Sequence, residues 1–324
     1  MIPPTSGPAA WPDKTFDGYT LLMEACAGRE PIVTAIAEPC DHASLTGAIE
    51  AARAGLIRPI LVGPVAKIRA VAEQEELDLD SYDLVDAPHG RGAAARAVEL
   101  VRAGEAEVLM KGSLHSDELL AEVVNGTTGL RTERRISHCF AMDVPTYPKP
   151  LFVTDAAVNV APDLRAKRDI CQNAIDLARS VGIAQPKVAI LAAVETVNPD
   201  MPATVDAACL CKMADRGQIT GGLLDGPLAL DNAISPEAAR TKGIVSEVAG
   251  QADILLVPDL EAGNILAKQL TFLTRADAAG IVLGARVPIA LTSRADNLRT
   301  RLASCALAML LAHDRRAKIV APRE

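Results

Sequence analysis

The residues of this chain that could do chemistry gather where apolar runs of the sequence end. An apolar run at 287–291 reads as a short buried strand, and Ser293, Arg294 and Asp296 follow it closely. Asn297 can cap the helix that comes next. Backbone N–H groups at a helix start lack intrahelical partners, and a guanidinium matches phosphate oxygens. The stretch therefore predicts an anion site, with a surface salt bridge at a helix start as the alternative.

The same arrangement recurs at four more places. Polar stretches follow apolar runs at 111–116, 155–159, 225–231 and 259–264. In open α/β sheets, ligands bind outside the carboxyl ends of strands. Each single end could also be an ordinary capped helix or turn, because Asp, Ser and Gly are common there. Five such ends in one chain predict a crevice built from several loops.

Several other polar residues are each consistent with more than one role. His115 and His138 could be bases, although a histidine near a strand end is more often structural. Cys139, next to His138, is the candidate for a nucleophilic cysteine, but an inward-facing strand thiol is the interpretation we favour. Asp225 and Asp231 could share a metal, yet no third ligand has a suitable spacing. The sequence contains no GxxxxGK[ST], HExxH or GxSxG motif, and no GxGxxG after a strand.

Composition excludes several classes of function. The 324 residues are 49% hydrophobic but only 2% aromatic, which fits aliphatic cores and argues against base-stacking surfaces for nucleic acid. A formal net charge of −8 gives no global attraction to nucleic acid or anionic lipid, so an anionic ligand must be held by local groups. No stretch approaches 18 uninterrupted apolar residues, so we expect no membrane span. Seven cysteines without a CxxC pair, and no signal peptide, predict reduced thiols in a cytoplasmic protein.

The elements that must position these residues alternate regularly. Strand-like and helix-like segments follow one another from Pro31 onward, beginning with a strand at 32–37 and a helix that Asp41 or Ser44 can cap. This alternation predicts βαβ units and a mainly parallel sheet. Segments 136–142 and 151–153 predict an antiparallel hairpin at the edge of that sheet. Pro162 suits the first position of a helix, and 219–224 reads as a strand.

Five motifs resemble the phosphate acetyltransferase / phosphate butyryltransferase family and occur in that family's order. They are LMKG at 109–112, FVTDAAVN at 152–159, DGPLALD at 225–231, PDLEAGN at 258–264 and LTSRAD at 291–296. The resemblance extends from about residue 30 to about residue 315. The residues within these motifs are more similar to those of the butyryltransferase-like branch than to those of the short acetyltransferases.

The resemblance implies a two-domain α/β architecture, the isopropylmalate-dehydrogenase-like fold, with mostly parallel sheets, helices on both faces and an interdomain cleft. The first domain would comprise 21–140 plus 286–324, and the second, inserted domain 141–285. Residues 1–20, rich in Pro, Gly and Asp, predict a flexible leader. Relatives fused to an enoyl-CoA hydratase-like domain exist in this branch, so the leader could be the stub of such a fusion.

The resemblance also implies an activity. A short acyl group, acetyl or butyryl, would move reversibly between CoA and orthophosphate through a ternary complex in the cleft. The substrates would be acyl-CoA and orthophosphate, or CoA and acyl phosphate, and the protein would be a homodimer without metal or nucleotide cofactor. Two alternatives remain open: a metal- and NAD-dependent dehydrogenase on the same fold, and a non-catalytic protein that binds acyl-CoA or phosphate.

Residue roles follow from the same resemblance. Ser293 and Arg294 would serve the reaction centre. The acetyltransferases place an acidic residue seven positions after this serine, where the chain has Thr300, so Asp296 is the nearest candidate for a catalytic carboxylate. Arg294, together with Arg131 or Arg135, would neutralise the phosphate. The candidate substrate-binding residues are Lys111, Gly112, Ser113, Arg131, Ser137, Asp155, Asn159, Asp259, Glu261 and Asn264.

Overall fold

Alternating strands and helices build one β-sheet covered on both faces. A computed structural model describes residues 17–292 and 296–320. In this part of the chain the strands are β1 (Ile32–Ala37), β2 (Ile57–Gly63), β3 (Asp83–Asp86), β4 (Val108–Lys111), β5 (Ser137–Asp143), β6 (Leu151–Thr154), β7 (Lys187–Leu191), β8 (Leu223–Leu228), β9 (Ile254–Leu256), β10 (Asp277–Leu283) and β11 (Ile289–Ala290). The helices are α1 (Gly18–Cys26), α2 (His42–Arg53), α3 (Val65–Gln74), α4 (Arg91–Ala103), α5 (Ser116–Val123), α6 (Leu164–Ser180), α7 (Pro202–Asp215), α8 (Leu230–Ile234), α9 (Pro236–Thr241), α10 (Leu260–Thr274) and α11 (Leu298–Val320).

Strand β1 shows why helices cover both faces of the sheet. Its successive side chains point to opposite faces. Ile32 and Ile36 lie in a buried core with residues of α2 and α11, whereas Ala35 and Ala37 lie in a second core with residues of α4 and α5. The predicted fold class, α/β with a mostly parallel sheet and helices on both faces, is confirmed.

Strand direction divides the sheet into two groups. The strand order is β3-β2-β1-β4-β11-β10-β5-β6-β9-β7-β8. The first five strands are parallel to one another, and so are the last four. Between them, β10 and β5 pair antiparallel with each other and with their outer neighbours. The two parallel groups therefore run in opposite directions, so their carboxyl ends lie at opposite edges of the sheet.

Three local predictions were wrong. The antiparallel hairpin of β5 and β6 lies in the middle of the sheet, because β10 pairs with the free edge of β5 and β9 with that of β6. Strand β8 begins at Leu223, so Asp225 lies inside the strand and not after it. Helix α6 begins at Leu164, because the Asp163 carboxylate accepts a hydrogen bond from Ala166 N at 2.8 Å and caps the helix there.

Two predicted N-caps are confirmed. The Asp41 carboxylate accepts a hydrogen bond from Ser44 N at 2.8 Å at the start of α2. The Asn297 side chain accepts one from Thr300 N at 2.9 Å at the start of α11. Both satisfy a backbone N–H group that has no partner inside its helix.

Helix α1 begins inside the predicted leader, since it includes residues 18–20. It packs against α11, where Cys26 Sγ donates to the Ala306 carbonyl at 3.7 Å. Residues 1–16 lie outside the described part of the chain. The division into a domain of 21–140 plus 286–324 and an inserted domain of 141–285 stays a prediction.

All seven cysteines are free thiols, and five of them are buried. Burial raises the pKa of the Cys139 thiol above its usual range, and the Asp155 carboxylate adds to this effect. Because the thiolate is the nucleophilic form, the structure disfavours an acyl-cysteine at this position. Over residues 17–292 and 296–320, none of the helices has the length and apolar character that crossing a bilayer requires.

Candidate active site

A cavity of about 700 Å³ opens on one face of the sheet, where β4, β11, β10 and β5 meet. Its size is within the range of small-molecule sites. The loop after β4, helix α10 and the loop before α11 form its walls. The lining residues with polar side chains are Lys111, His115, Ser116, His138, Asn264, Lys268, Thr271, Asp277, Thr292, Asp296, Asn297 and Thr300.

The loop at 292–296, called here the reaction-centre loop because it contains Ser293 and Arg294, has both of its ends at this cavity. Thr292 and Asp296 both line it, and Thr292 is buried. Ser293 and Arg294, between them in the sequence, lie outside the described residues. Arg301 on α11 is 4% exposed and holds the two ends of the loop together. Its guanidinium donates to Thr292 Oγ1 at 3.0 Å and to the Asp296 carbonyl at 3.3 Å.

The loop after β4 places Lys111 at the cavity while its neighbours bind the adjacent strand. Lys111 is 4% exposed, and its ammonium donates to the carbonyls of Gly112 and Leu114 at 3.1 and 3.2 Å. A Cβ on Gly112 would lie 2.3 Å from the Glu38 carbonyl oxygen, so only glycine allows this close approach. Ser113 Oγ donates to that same carbonyl at 2.8 Å. Lys111 therefore lines the cavity, whereas Gly112 and Ser113 hold the loop in place.

The loop after β6 binds its own backbone instead of facing the cavity. Asp155 Oδ1 accepts hydrogen bonds from Ala157 N and Val158 N, both at 3.0 Å. Its Oδ2 accepts from Asn159 Nδ2 at 2.5 Å and from Asn159 N at 3.2 Å. Asn159 in turn donates to the Ile136 carbonyl at 2.8 Å. Asp155 is 2% exposed, and only Ala157 of this loop lines the cavity.

The remaining candidates are dispersed. Ser137 is buried and its hydroxyl accepts a hydrogen bond from Asn173 Nδ2 at 3.0 Å, whereas Arg131 is exposed. Asp259 caps α10 by accepting from Ala262 N at 2.9 Å. Glu261 is exposed in the first turn of α10, and Asn264 lines the cavity while donating to the Ala156 carbonyl at 3.2 Å. Of the ten predicted substrate-binding residues, the cavity thus brings together Lys111 and Asn264.

Strand direction explains this dispersal. The carboxyl ends of β4 and β11 lie at one edge, and those of β6 and β9 at the other. The loop after β6 contributes only Ala157 to the cavity lining, and the segment after β9 reaches the cavity through helix α10. The stretch at 225–231 begins in β8, the outermost strand next to β7, and ends in α8. It contributes no residue to the lining.

Among the residues at or beside the cavity, Lys268, Phe140 and Arg301 were not identified as candidate site residues from the sequence. Lys268 lies two helical turns into α10, and Phe140 lies inside strand β5, so neither follows a strand end. Arg301 braces the reaction-centre loop from α11. Its signal in the sequence is a charged residue within the otherwise apolar stripe of a helix, a position that is seldom occupied without a partner.

Residues 89–309 match the family model described as "Phosphate acetyl/butaryl transferase", which is more than half of the chain. The chain belongs to that family. It is therefore an enzyme, a member of the phosphate acyltransferases.

Individual relatives agree with the family assignment. A phosphate acetyltransferase of Rhizobium meliloti is 64% identical over 311 residues, covering 96% of this chain and 98% of the relative. A phosphate butyryltransferase of Clostridium acetobutylicum is 43% identical over 299 residues, covering 92% and 98%. A branched-chain phosphotransacylase of Enterococcus faecalis V583 is 30% identical in structure-based comparison, with a TM-score of 0.76 over 87% of this chain and 99% of that one.

The hydrogen-bond count at Asp155 gives a test of its role in this phosphate acyltransferase. Asp155→Ala removes a buried acceptor of four N–H hydrogen bonds, so we expect the free energy of unfolding to fall by about 3 kcal/mol. Asp259→Ala removes an acceptor of one cap hydrogen bond and should cost about 1 kcal/mol. Urea denaturation of both variants measures the difference. Equal losses, or a stable Asp155→Ala protein with a raised KM, would instead favour a direct role in substrate binding.

Proposed function

We propose that this enzyme transfers a short acyl group reversibly between CoA and orthophosphate, with both substrates bound together in the cavity described above. Family membership carries this conclusion. The cavity is consistent with it, because its lining includes the apolar residues Phe140, Ala278 and Leu291 and the cationic side chains of Lys111 and Lys268. Apolar residues suit an acyl chain, and cations suit phosphate oxygens.

The proposed cations are Lys268, Lys111 and Arg294. Lys268 is exposed on α10 at the cavity wall, where it can reach a phosphate of CoA. Lys111 brings a buried positive charge to the loop after β4. Arg294 would bind orthophosphate, and Ser293 would donate a hydrogen bond to the acyl carbonyl. Since the chain carries a net charge of −8, these local cations must supply the attraction for the anionic substrates.

The proposed step is direct attack. The CoA thiol loses its proton to Asp296, and the sulfur attacks the carbonyl carbon of the acyl phosphate. The C–S bond forms as the C–O bond to phosphate breaks, and the proton leaves with the phosphate. Free thiols are mostly protonated at neutral pH, so a nearby carboxylate that takes the proton accelerates the step. The reverse reaction follows the same path.

We propose acetyl as the preferred acyl group, because the 64% identical relative is named an acetyltransferase and the 43% identical one a butyryltransferase. The test measures thiol release from acetyl-, propionyl- and butyryl-CoA with phosphate present. We expect the highest kcat/KM with acetyl-CoA and continued release with arsenate, whose acyl ester hydrolyses. A higher value for butyryl-CoA would reverse the assignment of the acyl group, and no thiol release from any of them would contradict the proposed activity.

The proposal also covers the oligomeric state of the enzyme, its compartment and its cofactor requirement. We propose a homodimer that works in the cytoplasm without a metal or nucleotide cofactor, as the family resemblance implies. Seven free cysteines agree with a reducing compartment. Light scattering of the purified chain tests the dimer, and dialysis against EDTA before the thiol-release assay tests the cofactor proposal. The link between the leader and an enoyl-CoA hydratase-like domain stays a prediction.

A further inference from the structure

His138 is a buried polar side chain at the cavity that the mechanism above does not use. It is the second residue of β5, is 1% exposed and lines the cavity. Its carbonyl accepts a hydrogen bond from Thr154 Oγ1 at 2.8 Å, and its ring meets the Phe140 ring edge-to-face, with centroids 4.4 Å apart. The first contact holds the backbone at His138, and the second is made by its ring.

The imidazole of His138 lacks a hydrogen-bond partner among the described residues. Its Nδ1 is shielded from solvent and has no such partner. Because neither ring nitrogen has a partner among the described residues, the imidazole is available to a ligand in the cavity that it lines. Burial lowers the pKa of His138 to about 4, and the nearby Asp155 carboxylate acts in the opposite direction. The ring is therefore neutral at pH 7, with one N–H group and one lone pair.

The cost of burying an N–H group without an acceptor indicates which ring nitrogen of neutral His138 carries the hydrogen. A buried N–H group without an acceptor is rarer in proteins than an under-satisfied acceptor. Because Nδ1 is enclosed and has no partner, we assign the lone pair to Nδ1 and the hydrogen to Nε2. The neutral ring then presents a donor, not an acceptor, through Nε2.

Gly280 allows the imidazole to pack closely against strand β10. Gly280 lies opposite Phe140 on this neighbouring strand and also lines the cavity. A Cβ built on Gly280 would lie 3.0 Å from His138 Nε2 and 2.8 Å from the Leu291 carbonyl oxygen, so a side chain there would displace the ring or the Leu291 backbone. The glycine therefore permits the position of the imidazole at the cavity, where Nε2 is the nitrogen available to a substrate oxygen.

We propose that His138 is a catalytic residue of the acyl transfer, whose neutral imidazole donates Nε2–H to the acyl carbonyl oxygen. This rests on the proposed function. When the CoA sulfur attacks the carbonyl carbon, the π electrons of the C=O bond move to the oxygen, and the hydrogen bond strengthens. The electrons return as the C–O bond to phosphate breaks. His138 exchanges no proton, so its low pKa does not hinder the step, and a neutral imidazole is a recognised donor to a developing oxyanion.

Three substitutions of His138 distinguish a role as hydrogen-bond donor from a role in packing alone. His138→Gln keeps an N–H donor near the Nε2 position, His138→Asn moves it to the Nδ1 position, and His138→Leu removes it. Losing one donor to an oxyanion lowers kcat by about 10²–10³-fold. We expect that loss for the Asn and Leu variants, with KM for CoA and acyl phosphate within about 3-fold, and a loss of only about 10-fold or less for Gln.

Infrared spectroscopy provides a second readout. Acetyl-CoA labelled with ¹³C at the carbonyl, bound without phosphate, should show a carbonyl stretch at lower frequency in the wild type than in His138→Leu. Thermal unfolding of each variant reports whether the fold persists. Equal losses in the Gln and Asn variants, or an unchanged carbonyl frequency in folded His138→Leu, would overturn the proposal. Absence of thiol release by the wild type would instead refute the proposed function.

Discussion

Arg294→Gln is expected to raise KM for orthophosphate and for acyl phosphate by about 100-fold, while KM for CoA stays within about 3-fold. A guanidinium binds two phosphate oxygens at once, and removing one partner of such a charged pair costs about 2–5 kcal/mol. Glutamine retains the length of the stem but not the charge. Steady-state kinetics of thiol release, with each substrate varied in turn, measures the effect.

Two control variants sharpen the Arg294 experiment. Arg294→Lys retains the charge but not the planar fork, so its KM for phosphate should lie between those of wild type and Arg294→Gln. Arg96→Gln removes an exposed guanidinium that pairs with Glu99 on α4, and it should leave all constants unchanged. If Arg294→Gln raised the KM values for phosphate and CoA equally, the arginine would have no specific role in binding phosphate.

Asp296→Asn is expected to lower kcat for thiol attack on acyl phosphate by about 10²–10⁴-fold at pH 7, the usual contribution of a positioned base. Asp296 lines the cavity next to the reaction-centre loop. Since solvent removes the thiol proton as the pH approaches the thiol pKa of about 8.5, the deficit should shrink between pH 7 and pH 9. Initial rates across this range measure the change.

Asp277 is the matched control for Asp296. It is another carboxylate at the cavity, where its Oδ2 accepts a hydrogen bond from Arg299 Nε at 2.8 Å. Asp277→Asn should change kcat by less than about 3-fold, because a weakened surface ion pair has a small effect. A deficit in Asp296→Asn that stays constant with pH, or one that Asp277→Asn shares, would show that Asp296 does not act as the base.

Local structure in this protein could be predicted from the sequence wherever neighbouring residues determine it. Asp41 and Asn297 cap their helices as expected, since a cap depends on a side chain and a backbone N–H group three residues away. The run 32–37 forms strand β1 with the predicted bounds. The errors occur where segments far apart in the chain determine the structure. The central position of the β5–β6 hairpin in the sheet, for example, depends on its pairing with β10 and β9.

The candidate site was predictable in part for the same reason. Polar residues after strand ends were identified from the sequence, and Lys111, Asn264, Thr292 and Asp296 do line one cavity. Asp155 and Asp259 follow the same pattern but bind their own backbone. Because a carboxylate after a strand serves equally well as a ligand group or as a turn and cap acceptor, spacing alone does not separate the two uses.

The sequence by itself determined the α/β class, the capped helices and the family. Each depends on a property of short segments: the spacing of aliphatic residues, the cap residues and the residues of the motifs. The tertiary structure alone decided which loops share a cavity. The antiparallel pair β10 and β5 reverses one half of the sheet relative to the other, and α10 then brings Asn264 and Lys268 to the cavity. The tertiary structure also placed the unpartnered ring of His138 beside Gly280, a juxtaposition that depends on the pairing of strands 140 residues apart in the chain.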